Sequence, residues 1–232
     1  NIRYYGGNGL EISSLYPYYL SQAIYEGQVE SGQTEIINLT RSGWIGSQRL
    51  GSLLWSGDIT GDFPTLRKHI KAGLNIGLAG IPWWTTDIGG FCADPRVDGY
   101  TEVLIRWFQF AAFSPVMRIH GVNQPSKEIE GQLVGTGAPN EVWSFGEEAY
   151  VILSHYLDIR ERLRPYIQKH MDIASEDGTP VMRPLFYDFP GDRKSYTIED
   201  QYMFGPDILV APVLEAGANS RTIYLPAGSR WK

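Results

Sequence analysis

The sequence is poor in the residues that form disulfides and metal centres. It has one cysteine, Cys92, among 232 residues. An internal disulfide and a cysteine-based metal centre are therefore excluded. The four histidines stand at positions 69, 120, 155 and 170, without the spacing of zinc ligands. A chain of this length can bury a sizeable core.

The chain also lacks an excess of positive charge and any long hydrophobic run. Its 20 Lys and Arg against 26 Asp and Glu give a net charge of −6. This argues against a nucleic-acid partner, because phosphate binding needs a basic face. No apolar stretch approaches the roughly 20 residues of a membrane span, so no membrane partner is expected. The chain is rich in aromatics, at 13% with 7 Trp and 14 Tyr, which fits a globular core and a surface that stacks on sugar rings.

Short apolar runs alternate with amphipathic stretches, which is typical of βαβ units. We predict strands at 35–39, 52–55, 74–81 and 115–119, and helices at 13–26, 65–73, 99–112 and 145–174. Further short strands at 180–189, 201–203, 208–213 and 222–225 are separated by Gly and Pro turns. These indicate the beginning of an all-β sandwich domain. We therefore place a boundary near residue 175, between a domain at 1–175 and a domain at 176–232.

Each of the first four predicted strands is followed by a polar residue that could serve a site: Arg41, Asp58, Asp87 and His120. In a (β/α)₈ barrel the active site is built from the C-terminal ends of the strands. Four βα units in the first domain correspond to half of such a barrel. The other half would precede Asn1, since the chain starts without Met and stops just after a strand-like stretch at 221–225. Both ends are thus expected to be cuts through a longer protein.

Carboxylates stand beside tryptophans at two of these strand ends. Asp58 ends the run Trp55-Ser56-Gly57-Asp58, and Asp87 follows Trp83-Trp84-Thr85-Thr86. Aromatic faces can stack on pyranose rings, and carboxylates can transfer protons and bind hydroxyls. Sugar hydrolysis normally uses two catalytic carboxylates, and the second is not evident in this sequence.

Five motifs occur together in one order along nearly the whole chain. They are Arg41-Ser42-Gly43-Trp44-Ile45-Gly46-Ser47-Gln48-Arg49, the run ending at Asp58, Asp87-Ile88-Gly89-Gly90-Phe91, Met117-Arg118-Ile119-His120-Gly121, and Gln201-Tyr202-Met203-Phe204-Gly205-Pro206-Asp207. With them the chain resembles the C-terminal half of the catalytic barrel of glycoside hydrolase family 31 and the start of the β-domain that follows. The segments Ser47-Gln48-Arg49 and Gly80-Ile81-Pro82-Trp83-Trp84-Thr85-Thr86-Asp87 are most similar to bacterial α-xylosidase and α-glucosidase-like members.

The resemblance implies a retaining, exo-acting α-glycosidase that removes terminal α-linked xylose or glucose from oligosaccharides without a cofactor. It implies that Asp58 is the general acid/base and that Trp55 lines the adjoining sugar subsite. It further implies that Arg41, Asp87 and His120 bind sugar hydroxyls and that Trp84 and Phe91 shape the pocket wall. The family's nucleophile, an Asp on an earlier barrel strand, has no counterpart in this sequence. We therefore expect this chain alone to be inactive without the N-terminal half of its barrel.

Other functions and other residue roles stay open from the sequence. A transglycosylase would use the same residues, and a non-catalytic carbohydrate-binding protein would explain the missing nucleophile. Asp58 or Asp62 could cap the helix that follows, and Asp87 could stabilise the turn at Gly89-Gly90. His120 could be a structural histidine, and Arg41 could form a structural ion pair with an Asp at a neighbouring strand end.

Overall fold

The computed structural model describes residues 2–94, 96–122, 126–135, 137 and 139–232. Its first part alternates short strands with longer helices. In chain order these are β1 (Arg3–Tyr4), β2 (Gly7–Asn8), α1 (Gly9–Ile12), α2 (Tyr16–Glu30), β3 (Asn38–Thr40), β4 (Ser52–Trp55), α3 (Phe63–Leu78), β5 (Trp84–Thr85), α4 (Tyr100–Ala111), β6 (Ser126–Ile129), β7 (Gln132–Gly135), α5 (Glu147–Arg162) and α6 (Arg164–Asp177). Single 3₁₀ turns lie at Ser13–Leu15 and Ser47–Leu50.

The second part is built around a small antiparallel sheet. It contains β8 (Met182–Pro184), the short helix α7 (Leu185–Asp188), a 3₁₀ helix at Arg193–Thr197, β9 (Tyr202–Phe204) and β10 (Ile208–Val210). The strand order is β10-β9-β8, with both pairs antiparallel.

Strands β3, β4 and β5 form one parallel sheet in that order. Leu39 is opposite Leu53, and Leu54 is opposite Trp84. Because the strands are parallel, the loops that follow them leave from the same edge of the sheet. Arg41, Asp58 and Asp87 all lie on these loops.

The predicted fourth strand at 115–119 is not assigned as a strand, although it lies beside β5. The Val116 amide donates to the Trp84 carbonyl at 3.2 Å, and the Ile88 amide donates to the Arg118 carbonyl at 3.4 Å. The hydrogen bonds are too few and too widely separated to form a regular ladder. They still align the segment that carries Arg118 and His120 with the loop that carries Asp87.

The prediction of a strand at 74–81 was wrong, since most of that segment belongs to α3. The helix begins after Asp62, whose side chain accepts a hydrogen bond from the Thr65 amide at 2.7 Å. Gly73 does not end the helix as the sequence pattern suggested. A Cβ at this position would lie 2.6 Å from the indole of Trp84, so the glycine makes room for β5 to pack against the helix. Apolar residues at helical spacing bury the same face, namely Leu66, Ile70 and Leu74.

The long helix predicted at 145–174 is two helices, α5 and α6. The second begins at Arg164 with Pro165 in its first turn, where the missing proline N–H costs no helical hydrogen bond. Inside a continuous helix the same proline would remove a hydrogen bond and clash with the preceding turn. The proline therefore explains the break.

Two of the predicted C-terminal strands also differ from the structure. The run at 180–189 is a strand only to Pro184 and then turns into α7. The stretch at 222–225 is not assigned as a strand. It is held by a side chain instead, because Gln201 accepts from the Tyr224 amide at 2.7 Å and donates to the Tyr224 carbonyl at 2.8 Å.

One hydrophobic core joins both parts of the chain. Trp107, Phe108 and Phe110 of α4 are fully buried, and so are Tyr202 and Phe204 of β9. The Tyr202 hydroxyl donates to the Phe113 carbonyl at 2.8 Å, just beyond the end of α4. The C-terminal sheet thus packs directly on the helical layer that supports the parallel sheet.

Arg160 of α5 holds the segment that leads from α4 to Arg118. Its guanidinium donates to the carbonyls of Ala112, Ser114 and Pro115 at 2.5–3.0 Å. Burial lowers the pKa of Arg160 to about 10, so the side chain stays charged at neutral pH. A buried charged donor therefore serves carbonyls that no strand or helix satisfies.

Replacing Arg160 with Met should lower the free energy of unfolding by about 2–3 kcal/mol, because three carbonyls lose a charged donor. Arg162→Met is the matched control on the same helix, since among the described residues this exposed arginine bonds only to the Asp158 carbonyl of its own helix. Its effect should stay within about 0.5 kcal/mol. Chemical denaturation of both variants measures the difference, and equal losses would contradict the assigned role.

The free edge of β3 is apolar. Within the described residues β3 pairs only with β4. Leu39 on this strand is 45% exposed, and Ile37 just before it is 62% exposed. An unpaired strand with exposed apolar side chains is a template for association with another chain.

We therefore predict that the chain self-associates when expressed alone, and that Leu39→Lys shifts it towards monomer by placing a charge on the free edge. Val151→Lys serves as the control, because Val151 is an exposed apolar residue on α5, away from the sheet. Sedimentation velocity measures the distribution. A wild-type chain that is monodisperse, monomeric and melts cooperatively would contradict the prediction.

Candidate active site

Asp58 is presented at the surface by the loop that follows β4. Gly57 adopts a positive φ of 78°, which lets the chain turn sharply between Trp55 and Asp58. The helix that follows is capped by Asp62, so Asp58 is not used as its cap. The Asp58 side chain is 47% exposed and its carboxylate lies 2.5 Å from the guanidinium of Arg41. An exposed pair of this kind adds at most about 1 kcal/mol to stability, so its geometry matters more than its energy.

Arg41 connects Asp58 with Trp55. Its guanidinium carbon lies 5.6 Å from the centre of the Trp55 ring, within the range of a cation–π contact. The ion pair with a neighbouring strand-end carboxylate, which the sequence left open, is thus formed. An indole face, a planar cation and a carboxylate stand together at the edge of the sheet.

Asp87 differs from Asp58 because it is completely buried. Its side chain has no exposed surface, and one carboxylate oxygen pairs with Arg118. The other oxygen, Oδ2, has no hydrogen-bond partner among the described residues. The Asp87 amide donates to the Ser56 hydroxyl at 3.2 Å, which fastens this loop to the loop of Asp58.

Charged groups from several strand ends affect the pKa of Asp87. Burial raises the pKa of the Asp87 carboxyl, while the charges of Arg118 and His120 and the hydrogen bond from Arg118 oppose the rise. The negative charge of Asp58 raises it further. Groups from three successive loops thus act on one carboxylate.

His120 and Phe91 lie against each other. Their ring centres are 5.5 Å apart with an interplanar angle of 35°. The Val122 amide donates to the Phe91 carbonyl at 3.0 Å, which holds the two loops side by side. His120 is exposed, so its imidazole is available to a ligand.

Two glycines allow the loop after β5 to dock onto the loop after β4. Gly89 and Gly90 have φ values of 82° and 85°, which other residues rarely adopt. A Cβ at Gly90 would clash with the backbone of Gly61. The turn at this position, closed by the Gly90 amide on the Asp87 carbonyl at 2.9 Å, is therefore part of the site's framework.

Trp84 does not lie with the other predicted site residues. It is 5% exposed, and its ring stacks on His69 of α3 with centres 6.3 Å apart. The side chain fills the layer between β5 and α3, so the expectation that it shapes the pocket wall is not supported by its position. Asp87 likewise has no surface at which a sugar hydroxyl could bind in this arrangement, and its observed contact is with Arg118.

Arg118 is the residue that the sequence reasoning did not single out. It lies within the motif that ends at His120, and it provides the cation for the buried Asp87. A charged residue inside an otherwise apolar predicted strand was the available signal, because buried charges are normally paired.

Within the part of the chain that the structure describes, no group of three or more His, Cys, Asp or Glu side chains could hold a metal ion. No helix of the described residues is long and apolar enough to cross a membrane. The chemistry that the assembled residues can supply is proton transfer by Asp58 and hydrogen bonding by Arg41 and His120. Asp87, buried and paired, is not placed to act as a nucleophile.

Comparison with known proteins identifies the family. Residues 2–170 match the glycosyl hydrolases family 31 TIM-barrel domain, and residues 178–232 match the family's C-terminal domain. The chain belongs to glycosyl hydrolase family 31. The resemblance inferred from the motifs is thereby confirmed, and so is the fold class of a partial barrel followed by the start of a β-domain.

Three relatives show the range within family 31. The α-xylosidase of Saccharolobus solfataricus is 39% identical over 97% of this chain and 29% of its own length. The crystal structure of a family 31 α-xylosidase from a soil metagenome, complexed with xylose, is 55% identical with a TM-score of 0.92 and covers 98% of this chain and 35% of its own. The isomaltosyltransferase of Sporosarcina globispora is 33% identical over 96% of this chain and 20% of its own length. The chain thus spans about a fifth to a third of the length of these relatives.

The Asp87–Arg118 pair can be tested by its effect on stability. Arg118→Met leaves a buried carboxylate without its cation and should cost about 3 kcal/mol at neutral pH. The double variant Asp87→Asn with Arg118→Met removes both charges and should recover at least half of that loss. Urea denaturation of the single and double variants measures the coupling, and simple additivity of the two substitutions would contradict it.

The same variant should show a distinct pH dependence. Arg118 opposes the rise in the pKa of Asp87, so its loss raises that pKa further. A carboxyl whose pKa is higher in the folded protein favours the fold at low pH and loses that contribution as pH rises through its folded pKa. The cost of Arg118→Met should therefore be smaller near pH 4 than near pH 8, roughly the span over which such a carboxyl ionises. If the loss of unfolding free energy in Arg118→Met were the same at both pH values, ionisation of Asp87 would not be its cause.

Proposed function

We propose that this chain forms the C-terminal part of the catalytic barrel of a retaining, exo-acting α-glycosidase, which hydrolyses terminal α-linked xylose or glucose from oligosaccharides. The observation that carries the proposal is the group of Asp58, Arg41 and Trp55 at the C-terminal edge of a parallel sheet. Relatives over nearly the whole chain include α-xylosidases, one of which has been crystallised with xylose. The boundary between the barrel and the next domain is proposed to lie near residue 175.

In this proposal Asp58 is the general acid and then the general base. It donates a proton to the glycosidic oxygen while the bond from that oxygen to the anomeric carbon breaks. A carboxylate from outside this chain forms the bond to the opposite face of that carbon. Asp58 then takes a proton from water as the water oxygen displaces the carboxylate. The solvent-exposed position of Asp58 supports this role, because the leaving group and water must both reach it.

The remaining residues would hold the sugar. Trp55 offers an aromatic face beside Asp58, and Arg41 offers several donors in one plane, which suits adjacent hydroxyls. His120 would donate to a further hydroxyl, with Phe91 packed against its ring. We assign Asp87 to the support of this group through Arg118 and Ser56, and we leave Trp84 out of the sugar-contacting set.

Two alternatives to a hydrolase can be distinguished by experiment. A transglycosylase would use the same residues and pass the sugar to another sugar, and the isomaltosyltransferase is a relative of this kind at 33% identity. A non-catalytic carbohydrate-binding protein would need no nucleophile. Product analysis with and without an added acceptor sugar separates the first alternative, and turnover of any α-glycoside excludes the second.

Asp58→Ala, in a protein that carries this chain within a complete barrel, should lower kcat/KM on alkyl α-glycosides by about 10²–10⁴-fold. The loss should be smaller on aryl glycosides whose leaving group needs little protonation. Asp62→Asn is the control: it changes a carboxylate four residues away that caps α3, and Asn is also a good cap. Paired aryl α-xyloside and α-glucoside substrates give the sugar preference in the same assay. Wild-type rates in the Asp58 variant would refute the assignment.

A further inference from the structure

The loop of Asp58 is attached to the next loop, that of Asp87, on both sides of Asp58. On one side the Asp87 amide donates to the Ser56 hydroxyl at 3.2 Å. On the other side the Cys92 amide donates to the Ile59 carbonyl at 3.0 Å. Asp58 thus lies between two attachments to one neighbouring loop, and its position depends on where that loop is held.

Beyond the second attachment the backbones of the two loops are in direct contact through glycines. A Cβ at Gly61 would clash with the Gly89 carbonyl oxygen, and a Cβ at Gly90 would clash with the backbone of Gly61. Protein interiors packed this closely have low compressibility and transmit displacements. A shift of the loop that carries Gly89 would therefore also move the loop that carries Asp58.

The ring of Tyr100, the first residue of α4, packs against this glycine contact. A Cβ at Gly61 would lie 3.0 Å from Cε2 of the ring, and a Cβ at Gly89 would lie 2.6 Å from the hydroxyl oxygen. One aromatic side chain thus borders both loops at the point where they meet. Tyr100 is only 4% exposed, so a segment outside this chain has almost none of its surface to cover.

The helix α4 holds Tyr100 in place through one buried face. Leu104 and Trp107 follow Tyr100 at helical spacing, and both are completely buried. A Cβ at Gly89 would lie 2.7 Å from Cδ1 of Leu104. The Trp107 indole N–H donates to the hydroxyl of Thr86, at the start of the same loop, at 2.8 Å. Helix α4 therefore supports this loop both at its beginning and at the glycine turn.

The Tyr100 side chain contributes packing and no proton transfer. Its hydroxyl is buried without a hydrogen-bond partner among the described residues. Burial raises the pKa of Tyr100 to about 12, so the hydroxyl stays protonated at neutral pH. We propose that Tyr100 is a positioning residue for Asp58, which it holds in place through Gly61 and Gly89. The catalytic consequence of this positioning rests on the proposed function, in which Asp58 is the general acid and base.

The test compares two leaving groups in a protein that carries this chain within a complete barrel. Tyr100→Leu should lower kcat/KM on methyl α-glycosides by about 10–100-fold, because a misplaced Asp58 protonates the leaving oxygen poorly. The fall should be much smaller on nitrophenyl α-glycosides, whose leaving group needs little protonation. A merely structural defect reduces the fraction of active protein and lowers both values equally. The ratio of the two kcat/KM values therefore separates positioning from a loss of stability.

Three further variants define the contact. Tyr100→Phe should restore the wild-type ratio, because the ring borders both loops without its hydroxyl. Gly61→Ala should give the same altered ratio as Tyr100→Leu, because its methyl group pushes the two loops apart, and it tests the proposal even if Tyr100→Leu does not fold. Gly191→Ala is the matched control, since a Cβ at this glycine would meet no atom within 4 Å, and it should leave the ratio unchanged.

Hydrogen–deuterium exchange measured by mass spectrometry follows the loop of Asp58 without catalysis. Amides at 56–62 should exchange faster in Tyr100→Leu than in the wild type, and at the wild-type rate in Tyr100→Phe. Unchanged exchange in Tyr100→Leu, an equal fall of both kcat/KM values, or an altered ratio in Tyr100→Phe would overturn the proposal. A wild-type protein that hydrolyses no α-glycoside but shows the exchange difference would refute the proposed function and leave the hold of Tyr100 on this loop intact.

Discussion

Parallel pairing of β3, β4 and β5 is the constraint on which the candidate site depends. Each strand contributes only two to four paired residues, yet the common direction sends every following loop to the same edge. Arg41, Asp58 and Asp87 come from positions far apart in the sequence and meet there. The segment at 115–119 joins them through two backbone hydrogen bonds, one to β5 and one from the loop that follows it.

Buried charge then stabilises the loops that the strands only position. Asp87 has no exposed surface, so a cation beside it is a requirement of the fold, and Arg118 meets that requirement from the last of the four segments. The same carboxylate residue is fastened to Ser56 on the loop of Asp58. Arg160 plays a comparable part behind the site, where it serves the carbonyls that precede Arg118. Charged side chains without direct access to a ligand thus fix those that have it.

The two ends of the sheet differ in their chemistry. At the C-terminal edge a carboxylate, a guanidinium and an indole stand exposed, which suits proton transfer to a bound sugar. At the other edge the strands begin, and the chain there carries the partly buried Trp83. Because alternate residues of an extended chain face opposite ways, Trp83 faces away from the helix α3 on which Trp84 packs.

The sequence by itself determined the family, the fold class and the order of the site residues, because motifs of fixed wording occur at strand ends. It also identified Asp58, Arg41, Trp55, Phe91 and His120 as residues that belong near one another. In the structure Trp55 is the last residue of β4, and the other four lie on adjoining loops. Only the tertiary structure decided which way each side chain faces. Trp84 turned out to pack on His69, and Asp87 to be buried with Arg118, since burial depends on neighbours from other segments. Part of the helix at 63–78 was predicted as a strand. The periodicity of a short apolar run does not distinguish a buried helix from a buried strand. The glycine at position 73 does not end the helix, because it is needed for the close contact with Trp84.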